Sequence, residues 1–126
     1  MQTSKQNNMN NIENSSAEKL NLEEIVFLAN KIGLEYADAK RDMDYLELMK
    51  ATIKARISIR LDNDSLSETK LRRLTETDPE YVKFLEDLSE AKSRCEKLRI
   101  RYDSYKNLFE AKRSMLSYMK AEMKLI

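Results

Sequence analysis

The 126-residue chain has no histidine and no tryptophan, and only one glycine, one proline and one cysteine. Each scarcity removes a class of function. Without histidine the commonest general base and the commonest metal ligand are missing, and Cys95 alone cannot build a zinc site. Gly33 alone cannot furnish a phosphate-cradling GxxxxGK[ST] loop or a GxGxxG turn. No stretch approaches the roughly 18 apolar residues of a membrane span. The N-terminus lacks the apolar block of a signal peptide, so a cytoplasmic protein without a membrane partner is expected. No cofactor is implied, and the chain is not expected to be an enzyme. Cys95 falls at an apolar position of a helical repeat and reads as a small core residue rather than a reactive thiol.

What is present is charge and helical periodicity. Charged residues make up 36% of the chain yet nearly cancel, leaving a formal net charge of +1. With so little glycine and proline, that composition predicts an all-α, coiled-coil-like protein. The dominant stretch runs from Pro79 to the C-terminus. Tyr81, Phe84, Leu88, Ala91, Cys95, Leu98, Tyr102, Tyr105, Phe109, Leu116, Met119 and Met123 recur at alternating three- and four-residue steps, interrupted at Lys112. This is a heptad seam on one long helix, with Asp78 as N-cap and Pro79 at the first helical position. At 1.5 Å per residue it would be roughly 70 Å long, and something must cover its seam.

A partner exists in the same chain. Residues 1–20, rich in Asn, Ser and Gln, read as a disordered tail. Asn21 and Glu24 then form a capping box. Ile25, Ala29, Ile32, Tyr36, Ala39, Met43, Leu46, Ile53 and Ile57 repeat the three-four alternation over 21–61, with Lys50 at one seam position. Gly33 is either tolerated within this helix or splits it. A polar turn over 62–65 and a short helix over 66–77 follow, the latter opened by Ser65 and Glu68. Residues 21–126 therefore form one helical domain, with long amphipathic helices over 21–61 and 79–125 in a coiled-coil-like hairpin. A second apolar stripe, Leu85, Leu108, Met115 and Tyr118, would stay uncovered by one partner helix, which predicts a homo-oligomer.

Charge is distributed unevenly. Between Glu47 and Asp62 there are four cations, Lys50, Lys54, Arg56 and Arg60, and no acid. On a helix they flank the Ile53/Ile57 stripe, Lys50 and Lys54 on one side, Arg56 and Arg60 on the other. The alternating pattern here would equally suit a strand with a basic face. A cation cluster without acids suits a polyanion such as nucleic acid. The C-terminal half of the long helix is also basic, and could line a polyanion or pair with the acidic half of the first helix. Tyr102 and Tyr105 lie on the seam, while Tyr45, Tyr81 and Tyr118 are candidates for exposure. No base-reading motif is evident, so any nucleic-acid binding would rest on phosphate contacts.

The order of parts resembles the UvsY type of phage recombination mediator over roughly Tyr36 to Leu125. The closest local match is Ile53-Lys54-Ala55-Arg56-Ile57, similar to that family's Leu-Lys-Ala-Arg-Leu stretch. The resemblance implies a small helical subunit of a closed homo-oligomeric ring that binds single-stranded DNA without sequence preference. It also implies partners: a RecA-like recombinase, which it helps to load, and a single-strand-binding protein. The setting would be a bacterial or phage-infected cell. The family's DNA-binding residues fall on Lys54 and Arg56; Arg60 and Lys50 join them on the charge pattern alone. The chain departs from the family in its Asn-rich head, in lacking glycines after the basic stretch, and in lacking tryptophan. A second reading is a helical structural, assembly or adaptor protein, of the kind a phage scaffold represents, without DNA binding. A third is an inhibitor of a partner's surface, although a net charge of +1 disfavours a DNA mimic.

Overall fold

Helix propensity and the three-four apolar spacing decide the architecture. The structure, a computed structural model, describes residues 20–125, so the expectation of a disordered tail over 1–20 lies, save for Leu20, outside the described residues. It is all-helical, with 91% helix and no strands among the described residues. The elements are α1 (Leu22–Leu61), α2 (Glu68–Glu76) and α3 (Pro79–Leu125). α1 and α3 pack together as a hairpin.

Gly33 does not interrupt α1, and the basic stretch that could have been a strand is its last three turns. Asn21 caps α1 as expected, its side-chain oxygen accepting the Glu24 N–H at 2.9 Å. At the far corner the expected Ser65 cap is displaced by two residues. Ser67 is the N-cap of α2 and accepts the Lys70 N–H at 3.2 Å. Ser65 instead belongs to the preceding turn, its N–H donating to the Asn63 side chain at 3.0 Å. The capping pattern S-x-x-E at 65–68 thus loses to an Asx turn that uses the same serine. The short helix accordingly spans 68–76 rather than 66–77. Asp78 caps α3 by accepting the Glu80 N–H at 3.0 Å, with Pro79 at the first position. No described residue has positive φ, so the whole corner turns without glycine.

The chain divides into two compact units, the described parts of Met1–Ile32 with Tyr102–Ile126, and Gly33–Arg101. In the second unit Ile57, Tyr81, Phe84 and Leu88 form one buried cluster, with Leu46, Met49, Ile53, Leu61 and Leu85 packed against it. Ala39, Cys95 and Leu98 form another, beside Tyr36 and Met43. The buried members are seam residues of both helices, as the heptads require, whereas Met49, Leu61 and Leu85 join from beside the seam, so Leu85 is partly covered and not left open as its stripe predicted. In the first unit Ile25 and Ile32 are buried, and the Lys112 amine donates to the Leu20 carbonyl. A lysine therefore occupies the interrupted seam position of α3 because a backbone acceptor lies opposite it. Beyond Lys112 the seam residues Leu116, Met119 and Met123, together with Met115, Tyr118 and Leu125, are exposed.

Candidate nucleic-acid interface

The seam that buries Ile57 also sets where the cations beside it point. With Ile57 turned into the core, residues on either flank of the stripe reach across to the facing helices. Lys54 pairs with Glu76 at 3.1 Å, and its amine lies 5.8 Å from the centre of the Tyr81 ring. Arg56 pairs with Glu80. Arg60 pairs with Asp78 at 2.9 Å and with Glu80 at 3.6 Å. The expected cluster is present on one helix end. Its acid partners come from the end of α2 and the first turn of α3, separated from it by 18 or more residues in sequence and so not visible as neighbours.

The four positions are not equivalent. Lys50 is exposed and has no ion-pair partner within 4 Å among the described residues. It nonetheless contributes, after the dominant Lys92 hydrogen bond and charge, to holding the Glu47 carboxyl below its usual range. The Lys54 and Arg56 side chains are 40% and 65% exposed and face partners that are themselves 44% exposed. Such pairs contribute at most about 1 kcal/mol each, because water and salt screen them. Arg60 differs in that its partner Asp78 is only 10% exposed and also caps α3. Removing Arg60 therefore affects a cap as well as an ion pair.

Lys54 further lines a groove between α1 and α2, walled by Ala51, Ala55, Ser58, Leu71 and Thr75 and rimmed by Arg72 and Glu68. The small residues at 51, 55 and 58 line it with Leu71 and Thr75 of α2. Thr75 is buried there, with its hydroxyl donating to the Leu71 carbonyl at 2.8 Å. Arg72, which the cluster on α1 alone did not include, is brought to the same edge as Lys54. Among the tyrosines, Tyr81 is buried, correcting its expected partial exposure, whereas Tyr45 and Tyr118 are exposed. Tyr102 and Tyr105 are half-buried.

The remaining cations sort by local pairing. Arg99 bonds Glu96 one turn back, Lys106 pairs with Asp103 at 3.7 Å and Arg113 with Glu110 at 3.4 Å. Lys92 reaches across to Glu47 at 2.6 Å. Antiparallel charge matching between the long helices is thus mainly basic α1 end to acidic α3 start, with Lys92–Glu47 its counterpart further along. Among the described residues no group of three or more potential carboxylate or thiolate ligands could hold a metal ion, and no helix is long and apolar enough to cross a membrane.

The fold and site define a helical hairpin carrying a cation-rich corner. No family model, curated protein or solved structure matches the chain.

Proposed function

We propose that the protein binds single-stranded DNA without sequence preference, as a homo-oligomer, through the basic end of α1. The observation that carries this reading is the two cation pairs, Lys50/Lys54 and Arg56/Arg60, that flank the buried Ile57 within three turns of α1, with the ion pairs of Lys54 and Arg56 exposed enough for phosphate oxygens to take the carboxylates' place. Release of condensed counterions supplies the driving force. Lys50, with no carboxylate to displace, is the most available contact, followed by Lys54 and Arg56. Arg60 is the most committed to the fold. Loading of a RecA-like recombinase against a single-strand-binding protein is the further role that the resemblance around Ile53–Ile57 suggests, and it rests on that resemblance.

The test is fluorescence anisotropy of a labelled oligothymidine across a salt series, with Lys50→Ala and Lys54→Ala/Arg56→Ala beside wild type. Binding that weakens steeply with salt, and weakens in the variants at unchanged helicity, supports the reading. No binding by wild type at low salt rules it out.

A second reading, a helical assembly or adaptor protein without DNA binding, is favoured by a separate observation. The last turns of α3 expose Met115, Leu116, Tyr118, Met119 and Met123 together, more apolar surface than a lone helix end retains without a partner. On that reading the α1 cations only lock α2 and the start of α3 in place.

A further inference from the structure

Once every ion-paired cation is set aside, one face of α3 keeps three. Arg94, Lys97 and Arg101 follow one another at three- and four-residue steps, so they project within about 60° of each other along roughly 10 Å of helix. All three are exposed, and none makes an ion pair within 4 Å among the described residues. Their neighbours explain why. Glu96 and Asp103 are engaged by Arg99 and Lys106, and Glu47 by Lys92, so these three carboxylates are committed to other cations. The three cations line a shallow groove whose floor includes Leu98 and whose wall includes Ser93. Two acids, Glu35 from α1 and Glu90 from the preceding turn of α3, border the same groove. Glu90 lies one turn before Arg94 and at the end of the stripe opposite Arg101, which leaves Lys97 and Arg101 with the least compensated charge.

We infer that this stripe is a second phosphate-binding face, one that holds the backbone of a single-stranded nucleic acid through Arg94, Lys97 and Arg101. This rests on the polyanion-binding reading and adds a contact surface to it. The two sites differ in kind. At Lys54, Arg56 and Arg60 phosphate must replace Glu76, Asp78 and Glu80, whereas on the α3 stripe it meets cations with no ion pair to break. The α3 stripe should therefore contribute more to affinity per charge than Lys54 or Arg56. The serine at its wall adds a neutral donor, and no exposed aromatic lines the groove, so base stacking should be minor and binding tolerant of sequence.

The experiment is the same oligothymidine anisotropy across salt, on the full chain, with Arg94→Ala/Lys97→Ala/Arg101→Ala. Its control is Lys31→Ala/Lys40→Ala/Lys120→Ala, which removes an equal charge from exposed positions elsewhere. Alanine at exposed helical positions preserves α3, which circular dichroism verifies. The stripe variant is expected to lose roughly tenfold or more in affinity at 0.15 M salt, and its salt slope to fall by about 2 for three lost contacts on a single strand. The control should lose clearly less. If the stripe variant binds like wild type, or loses no more than the control, the inference is overturned while the α1 site retains its own test. If wild type does not bind at low salt, the DNA-binding reading itself fails and the inference falls with it.

Discussion

At the scale of single residues, one side chain decides how the basic stretch is displayed. Ile57 is fully buried against Tyr81, Phe84 and Leu88, and its burial turns Lys54 and Arg56 toward opposite edges of the hairpin. Ile57→Ala should cost about 2–5 kcal/mol through lost transfer energy and the cavity left behind, measured as a shift in urea midpoint. A cost below about 1 kcal/mol would mean that the cluster collapses around the gap. Arg60→Ala and Lys50→Ala should separate two roles of cations on the same helix. The first loosens the α3 cap and lowers stability by about 1 kcal/mol. The second, which breaks no ion pair, should stay within about 0.5 kcal/mol of wild type. Equal losses would contradict the distinction. Glu47 offers a pH-sensitive probe. The Lys92 amine, hydrogen-bonded to it, is the chief cause that holds its carboxyl below the usual glutamate range. Because the folded-state value is depressed, the contribution of this pair is present above the unfolded glutamate value and disappears as pH falls through the folded one. An NMR titration should place Glu47 below other exposed glutamates, and Lys92→Ala should move it up; no movement would assign the shift to another cause.

At the scale of elements, the helices were legible and the corner was not. The three-four spacing of Ile25, Ile32, Ala39 and Ile57 on one side, and of Tyr81, Leu88, Cys95 and Leu98 on the other, is a direct consequence of one face being buried. It can be read without coordinates. The start of α2 could not be read as surely, because Ser65 and Ser67 are both competent caps and local sequence does not say which one the Asn63 turn will claim. The fate of the cations was hidden for a different reason. Lys54 meets Glu76 and Arg60 meets Asp78 only after the chain has reversed, so no local pattern links them. Part of the α3 stripe, by contrast, was open to local reading: pairing each cation with any acid three or four residues away leaves Lys97 and Arg101 over, whereas Arg94 has Glu90 four residues before it and its lack of an ion pair shows only in the structure. Ser67→Ala should lower stability by about 1 kcal/mol, whereas Ser65→Ala should have a smaller effect. Gly33→Ala should raise it by about 0.5–1 kcal/mol, since this glycine lies within α1 at ordinary helical backbone angles. A fall in melting temperature for Gly33→Ala would show that a Cβ at this position meets a neighbour.

At the scale of the whole molecule, each compact unit closes its own seam to a different extent. The unit formed by Gly33–Arg101 contains both buried clusters, and its corner satisfies its own caps without a left-handed residue. The lack of glycines after the basic stretch, a departure from the resembled family, therefore presents no backbone difficulty here. The unit that contains the C-terminal part of α3 leaves Leu116, Met119 and Met123 exposed on the same seam. Self-association through this segment is the expected consequence, and methionines suit a contact that must adapt its packing. Truncation after Lys112 should lower the assembly mass seen by sedimentation, while preserving the Lys112–Leu20 contact. An unchanged mass would place the association elsewhere.

Cys95, packed with Ala39 and Leu98, is the single thiol of the chain and is only 6% exposed. A thiol reagent can reach it only when α1 and α3 part at that level. Its labelling rate, set against that of a free thiol, therefore reports how often the two helices separate there. If nucleic acid bound along α3 holds the hairpin shut, that rate will fall when oligothymidine is added, so that the most inert side chain of the protein becomes a clock for the dynamics of its most exposed surface.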